Sequence, residues 1–290
     1  MNLIGLLLVK NGDWCIGLSL RSMLMFCDEV VVVAHNCTDD TLDVLQSIRN
    51  EVGKRLHKWT ARSEHWEEMR LRQELLLHAR DRGATHLWLQ DDDEVLTGNL
   101  LPTIRDHVER TPAGTILQLP WLCLKDGIDR VITTGMWGSQ NVSVACKDDP
   151  LWHWAAQGVE KYDFHHRHPM GRQFIPSYVP MRDLPFGERG AGLMHLQFAS
   201  RRRLLAKQAL YQAVEVLRWP GRQMPDYVRT VRESESAQTC TAPESWWAPY
   251  SGLMQHLHVA AEPWQEMELR RLVAEHGTDK FKGCNFFGVI

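Results

Sequence analysis

The chain has 290 residues, 44% apolar and 24% charged, which is ordinary globular composition and enough for one large α/β domain with an appendage or for two domains. A formal net charge of -3 excludes a general attraction to nucleic acid or to an anionic membrane. Its 7 cysteines are widely spaced with no C-x-x-C pair, which excludes a zinc ribbon or a dithiol redox motif and suits free thiols in a reducing compartment.

Residues 4–9 are an apolar run that stops at Lys10. The run suits a buried strand, is far short of the roughly 20 residues of a membrane span, and lacks the basic flank of a signal peptide. No other run is long enough, so the expectation is a cytoplasmic protein with no transmembrane segment. Asn11-Gly12-Asp13 breaks the strand, and Asp13 is suited to cap a helix over residues 14–26. Residues 29–34 contain consecutive valines, the pattern of a strand buried on both faces. The loop 35–40 ends in capping side chains, and Leu42, Leu45, Ile48 and Val52 follow at helical spacing. Residues 55–59 read as a short third strand, 64–82 as a charged amphipathic helix, and 85–90 as a fourth strand. The carboxylate run Asp91-Asp92-Asp93-Glu94 sits at its end. Residues 99–110 read as a helix with Pro102 in its first turn.

Strand–helix–strand repetition with short connections predicts the α/β class, a mostly parallel nucleotide-binding sheet flanked by helices. Ligands of such sheets bind outside the carboxyl ends of the strands, where Asn11, residues 36–40 and residues 91–94 all gather. Further on, residues 115–121 and 131–145 read as strands, the latter split near Gly138. Residues 147–189 read as irregular and surface-facing, 200–219 as a helix, 232–249 as a polar linker and 263–276 as a last helix before an apolar tail. The expected organisation is a catalytic domain over 1–199, with a nucleotide-binding half (1–110) and an acceptor half (111–199), followed by a helical C-terminal extension over 200–290.

In an extended segment residues i and i+2 point the same way, so Asp91 and Asp93 aim at one point while Asp92 faces away. Converging carboxylates repel unless a cation lies between them, and hard divalent cations such as Mn²⁺ or Mg²⁺ prefer oxygen ligands often shared with a diphosphate. The alternative is a solvated acidic turn capping the next helix. Arg201-Arg202-Arg203 places cations where a helix dipole is already positive, with Lys207 one turn beyond Arg203. A diphosphate, an acidic acceptor or carboxylates elsewhere in the fold would relieve them. The cluster His165-His166-Arg167-His168 reads as a loop near an acceptor.

Four segments in order resemble family 2 glycosyltransferases: Leu8-Val9-Lys10-Asn11 before a helix; Val31 to Thr41 with its Asn36-Cys37-Thr38-Asp39-Asp40 turn; Met69-Arg70-Leu71-Arg72-Gln73; and Leu87 to Glu94 with its D-x-D segment. Together they cover roughly the first hundred residues. The resemblance implies a glycosyltransferase A-type fold, a nucleotide-diphosphate sugar donor (UDP- or GDP-linked), a Mn²⁺ or Mg²⁺ ion, and transfer to an acceptor hydroxyl with inversion. It implies donor contacts at Lys10, Asn11, Asn36, Asp39, Arg72 and Asp91, and metal ligation by Asp91 and Asp93. A second resemblance, Met194-His195-Leu196-Gln197-Phe198 with Arg203, Lys207 and Tyr211, implies that His195 completes the metal site and that Arg203 and Lys207 face the diphosphate. The chain departs from the family at Gly12 and at Ala34 and His35, where relatives carry acidic residues, the second of these touching the base. The family's base is an Asp or Glu well after the D-x-D segment, often in an E-D pair that is missing here between residues 110 and 195. Of Asp148, Asp149, Glu160 and Asp163, the expected base is Glu160, in the aromatic-flanked stretch that starts at Trp154, with Asp163 behind it. The acceptor, whether glycan, lipid-linked or protein, is left open. The alternatives are a non-catalytic nucleotide-sugar or glycan-binding module and a sugar-phosphate nucleotidyltransferase, the latter lacking its glycine-rich loop here.

Overall fold

The computed structural model describes residues 1–63, 66–154, the backbone of 181–183, 190–221 and 223–290. The fold class is α/β, with a mostly parallel sheet flanked by helices, as the alternation predicts. Its elements begin with β1 (Leu3–Val9), α1 (Ile16–Leu24), β2 (Glu29–His35), α2 (Thr41–Val52), β3 (Leu56–Ala61), α3 (Glu68–Asp81), β4 (His86–Asp91), β5 (Glu94–Leu96) and α4 (Ile104–Glu109). They continue with β6 (Ile116–Cys123), β7 (Arg130–Ile132), β8 (Asn141–Lys147), β9 (Met181–Asp183), β10 (Leu193–His195), α5 (Arg201–Arg218), α6 (Tyr227–Ser236), β11 (Thr239–Thr241) and α7 (Trp264–His276). No helix among the described residues is long and apolar enough to cross a membrane.

Strand order among the described residues is β3-β2-β1-β4-β8-β6-β10-β5, with β9 paired to β6. The strands β3, β2, β1 and β4 run parallel, and Leu8 pairs with both Val33 and Asp91. β8 returns antiparallel to β4 and β6 antiparallel to β8. Alternation along β1 explains its two buried faces. Ile4, Leu6 and Leu8, with Val31 and Val33, meet Leu71, Leu75, Leu76 and Ala79 of α3. Gly5 points to the other face, where an added Cβ would stand 2.5 Å from Met23 of α1. A strand covered by helices on both sides needs apolar residues at every position, hence the unbroken run.

The chain divides into two compact units. The first contains residues 1–120, 141–194 and 244–257; the second contains 121–140, 195–243 and 258–290. β6 and β10 run from the first into the second. Within the first unit, residues 244–257 are anchored through the buried Tyr250, whose hydroxyl donates to the Leu96 carbonyl at 2.8 Å, and Trp246, whose indole donates to the Gly190 carbonyl at 3.3 Å. Gly98 admits this segment, because a Cβ there would lie 2.4 Å from Pro249. In the second unit, α5 packs with α7 and the apolar tail around Leu210, Leu269, Leu272 and Phe281.

Several local expectations are corrected. The helix over 99–110 is divided into a 3₁₀ turn, Gly98–Leu100, and α4, because Pro102 lacks an N–H and disfavours the helical conformation before it. The polar linker over 232–249 instead contains the end of α6 and β11, which pairs with β7. Asp226 caps α6 by accepting from the Arg229 N–H at 2.8 Å, and only Val231 and Ser234 of that helix are buried, so the apolar stripe is too thin to read. β5 also escapes the sequence, being three residues long directly after the acidic run.

Tyr250→Phe removes one buried hydrogen bond with little change of shape. Equilibrium urea unfolding is expected to show a loss of about 1–2 kcal/mol.

Candidate functional site

Parallel register brings the carboxyl ends of β1, β2 and β4 to one edge of the sheet, each followed by a loop rich in polar side chains. Between β1 and β2 the loops are cross-tied. Asn11 takes a left-handed conformation (φ 54°), its Oδ1 accepting from the Thr38 N–H at 2.7 Å and its Nδ2 donating to Thr38 Oγ1 at 3.2 Å. Asparagine tolerates this backbone region better than most residues, so its place after the strand is local stereochemistry as well as function. The Gly12 N–H donates to Thr41 Oγ1 at 2.8 Å. Asp39 accepts from the Asp13 N–H through Oδ2 at 3.2 Å and from the Thr41 N–H through Oδ1 at 3.0 Å. Asp13 therefore does not cap α1 as expected; the cap position is Cys15, and Gly12 supplies the carbonyl to the Cys15 and Ile16 N–H groups.

Asn36, also left-handed (φ 46°), donates to the Ser63 carbonyl at 2.6 Å, and His35 Nε2 lies 2.8 Å from Ser63 Oγ. The His35 ring meets Trp66 edge-on at 5.3 Å. Lys10 follows β1 directly and is half-buried at the same edge.

The fourth strand ends in an ion network. Arg72, 2% exposed on α3, donates from Nε to Glu68 Oε1 and from an Nη to Asp91 Oδ1, both at 2.8 Å. Burial alone would lower the pKa of this guanidinium. The fields of Glu68 and Asp91 more than offset that, and the net shift is upward. Arg70, two residues earlier, pairs with Glu67 and Glu74 along its own helix face. The Glu94 carboxylate, fully buried, accepts from the Asp91 N–H at 2.9 Å, and Gln90 Nε2 donates to the Glu94 carbonyl at 2.7 Å. These bonds close a turn at Asp92 and Asp93 between β4 and β5. The extended-strand argument for Asp91 and Asp93 thus gives way to a tight turn, held by the Glu94 carboxylate on the Asp91 N–H and by Gln90 on the Glu94 carbonyl. Asp92 Oδ2 lies 4.0 Å from Cys15 Sγ.

The basic helix start in the second unit has found carboxylates. Arg201 pairs with Glu235 at 2.7 Å, and Arg202 with Glu266 at 2.6 Å and Glu262 at 3.3 Å. Ser200 caps α5, which supplies an acceptor where the cations do not. Arg203 donates to the Ala261 carbonyl at 3.0 Å, and Lys207 to Gln197 Oε1 at 3.2 Å. His195 is 3% exposed and stacks on Trp121 with centroids 4.3 Å apart; its Nδ1 is 4.0 Å from Cys123 Sγ.

Asn11, Asp39, Arg72 and Asp91 are therefore joined into two networks of the first unit, whereas His195, Arg203 and Lys207 belong to the second. Glu160 and Asp163, and the cluster at 165–168, lie outside the described residues. Sequence reasoning missed Glu68, although its i,i+4 spacing to Arg72 was a readable signal. It also missed Thr41 and Ser63, ordinary hydroxyl residues that only tertiary contact distinguishes.

No protein-family model matches the sequence, and no curated protein matches it. Among solved structures, the chain is similar to residues 1–349 of S. aureus TarS in complex with UDP, at 19% identity over 42% of this chain and 36% of that one, with a TM-score of 0.34. It is similar to a second crystal structure of S. aureus TarS residues 1–349, at 11% identity over 97% and 89% of the chains, TM-score 0.40. It is also similar to the mannosyltransferase PcManGT from Pyrobaculum calidifontis in complex with GDP-Man and Mn²⁺, at 11% identity over 96% and 76% of the chains, TM-score 0.35. Likenesses at this level assign the chain to no family.

Two outcomes test the networks. Arg72→Met strands Glu68 as a buried charge and is expected to cost about 3–5 kcal/mol in urea unfolding, part of which Arg72→Met with Glu68→Gln restores. Burial, then the charge of Asp39 and their mutual hydrogen bond, raise the Asp13 pKa. A raised carboxyl favours the fold fully below its unfolded pKa, and that contribution is lost as pH rises through its folded pKa. Asp13→Asn is therefore expected to raise Tm at pH 7, with the gain vanishing once pH falls below about 3.9.

Proposed function

We propose that the chain is a metal-dependent glycosyltransferase of the A-type fold that moves a sugar from a UDP- or GDP-linked donor to an acceptor hydroxyl, with inversion. One observation carries the reading: Arg72 fixes Asp91 at the end of β4, on the same sheet edge as the Asn11–Thr38 and Asp13–Asp39 ties. Polar loops at the carboxyl ends of parallel strands are where ligands of open α/β sheets bind.

Carboxylate oxygens are the donor chemistry that a hard divalent cation prefers. Asp91 and Asp93 offer carboxylate oxygens from one turn, and no group of three or more His, Cys, Asp or Glu side chains is gathered for a metal among the described residues. Mg²⁺ and similar ions are commonly held by one or two carboxylates, with phosphate oxygens and water filling the remaining positions. Such an ion, when bound, offsets the charge that develops on the leaving diphosphate.

The chain's own residues supply the rest. Asn11 and Asn36 hold the two loops in left-handed turns and are the assigned donor contacts there; Asp39 ties both loops to the start of α2 and is assigned to the donor with them. Arg72 acts on the donor through Asp91, since its guanidinium is committed to carboxylates on both sides. Lys10 is assigned to the diphosphate. Glu160, with Asp163 behind it, is assigned to take the proton of the acceptor hydroxyl. Arg201 and Arg202 of the second unit, already neutralised by Glu235, Glu262 and Glu266, have no part in holding the diphosphate.

Asp93→Ala is expected to fold and to lose Mn²⁺-dependent UDP or GDP affinity by about tenfold or more, measured by calorimetric titration. Unchanged affinity removes the metal assignment. Turnover of a panel of nucleotide sugars separates a transferase from a module that only binds them.

A further inference from the structure

We propose that Asp92, the middle carboxylate of the acidic run, is a positioning residue that latches the metal-holding turn onto the Asn11 loop, making one preorganised cradle of the two. The inference rests on the reading that Asp91 and Asp93 hold a cation. Two other carboxylates of the run are engaged elsewhere, since Arg72 of α3 binds Asp91 and Glu94 accepts from the Asp91 N–H. Asp92 turns the other way, into the loop after β1.

The fit there is close. A Cβ at Gly12 would stand 2.3 Å from Asp92 Oδ2 and 2.7 Å from Val9 Cγ2, so a side chain there displaces the Asp92 carboxylate from its present place. Gly12 is not among the positive-φ glycines, so its backbone conformation is open to other residues, and what its missing side chain leaves is room for the Asp92 carboxylate. The Cys15 thiol, 4.0 Å from Asp92 Oδ2, sits at the cap position of α1. A carboxylate is electrostatically favoured beside the first turn of a helix, where partial positive charge collects. β1 and β4 are hydrogen-bonded neighbours with Leu8 opposite Asp91, so the latch spans adjacent strand ends. It ties the loop that carries Asn11 to the turn that carries Asp91 and Asp93. A group that orients metal ligands through contacts of its own commonly matters nearly as much as the ligands.

The test uses the full chain with UDP and GDP, each with and without MnCl₂, together with hydrogen exchange of the amides of residues 12–16. Asp92→Ala and Gly12→Ala remove the latch from opposite sides. Both are expected to speed exchange at those amides and to weaken Mn²⁺-dependent nucleotide affinity about tenfold, leaving metal-free affinity near wild type. Asp92→Asn, which keeps the shape and an acceptor oxygen, is expected to restore most of the Mn²⁺ dependence. Wild-type exchange in a folded Asp92→Ala protein overturns the latch. Faster exchange with wild-type Mn²⁺ dependence overturns its coupling to the metal turn. If the wild-type protein itself shows no Mn²⁺ dependence, the metal reading fails, and the exchange data alone decide whether Asp92 joins the two loops.

Discussion

A guanidinium almost wholly removed from water is the constraint on which the candidate site depends. Taking a charge out of solvent is expensive, and only well-placed opposite charges offset it. Arg72 meets that demand from two directions, with Glu68 one helical turn away on α3 and Asp91 at the end of β4. Helix and strand end are thereby held in a fixed relation, and one oxygen of Asp91 is committed before any ligand arrives. The buried Glu94 holds the Asp91 N–H, so backbone and side chain of this residue are both fixed.

The rest of the edge is held by hydrogen bonds from side chains rather than by ion pairs. Asn11, Thr38, Asp39 and Thr41 use side chains as substitutes for backbone partners that the loops lack. Loops built in this way are ordered without strands or helices of their own, which suits a surface that must present polar groups in set positions. The Asp13–Asp39 pair is the exception, a juxtaposition of like charges that the fold tolerates at neutral pH.

The second unit has a different electrostatic pattern. Its arginine-rich helix start looks unfavourable in sequence, because helix dipole and cations share a sign. Glu235, Glu262 and Glu266 come from α6, the segment before α7 and α7 itself to neutralise it. These exposed pairs each contribute little to stability, yet together they remove the case for a bound anion at Arg201 and Arg202. The aromatic stack of His195 on Trp121 similarly gives that histidine a packing role within its own unit.

By itself, the amino-acid sequence determined the strand–helix alternation of the first hundred residues, the buried character of β1, β2 and β4, and the gathering of Asn11, Asp39 and Asp91 at the strand ends. Those features follow from local periodicity and from the rule that parallel strands end together, so residue order suffices to read them. Tertiary structure alone decided that Arg72 binds Asp91 while Arg70 binds its helix neighbours, since both arginines sit in the same charged stretch and differ only in which face α3 buries. It alone turned the acidic run into a tight turn, through Gln90 and Glu94, and aimed Asp92 at Gly12. It also revealed β5, α6 and β11, whose short or thinly apolar sequences are held by partners distant in the chain. What a side chain faces depends on which distant segment packs beside it, and spacing along the chain carries no record of that.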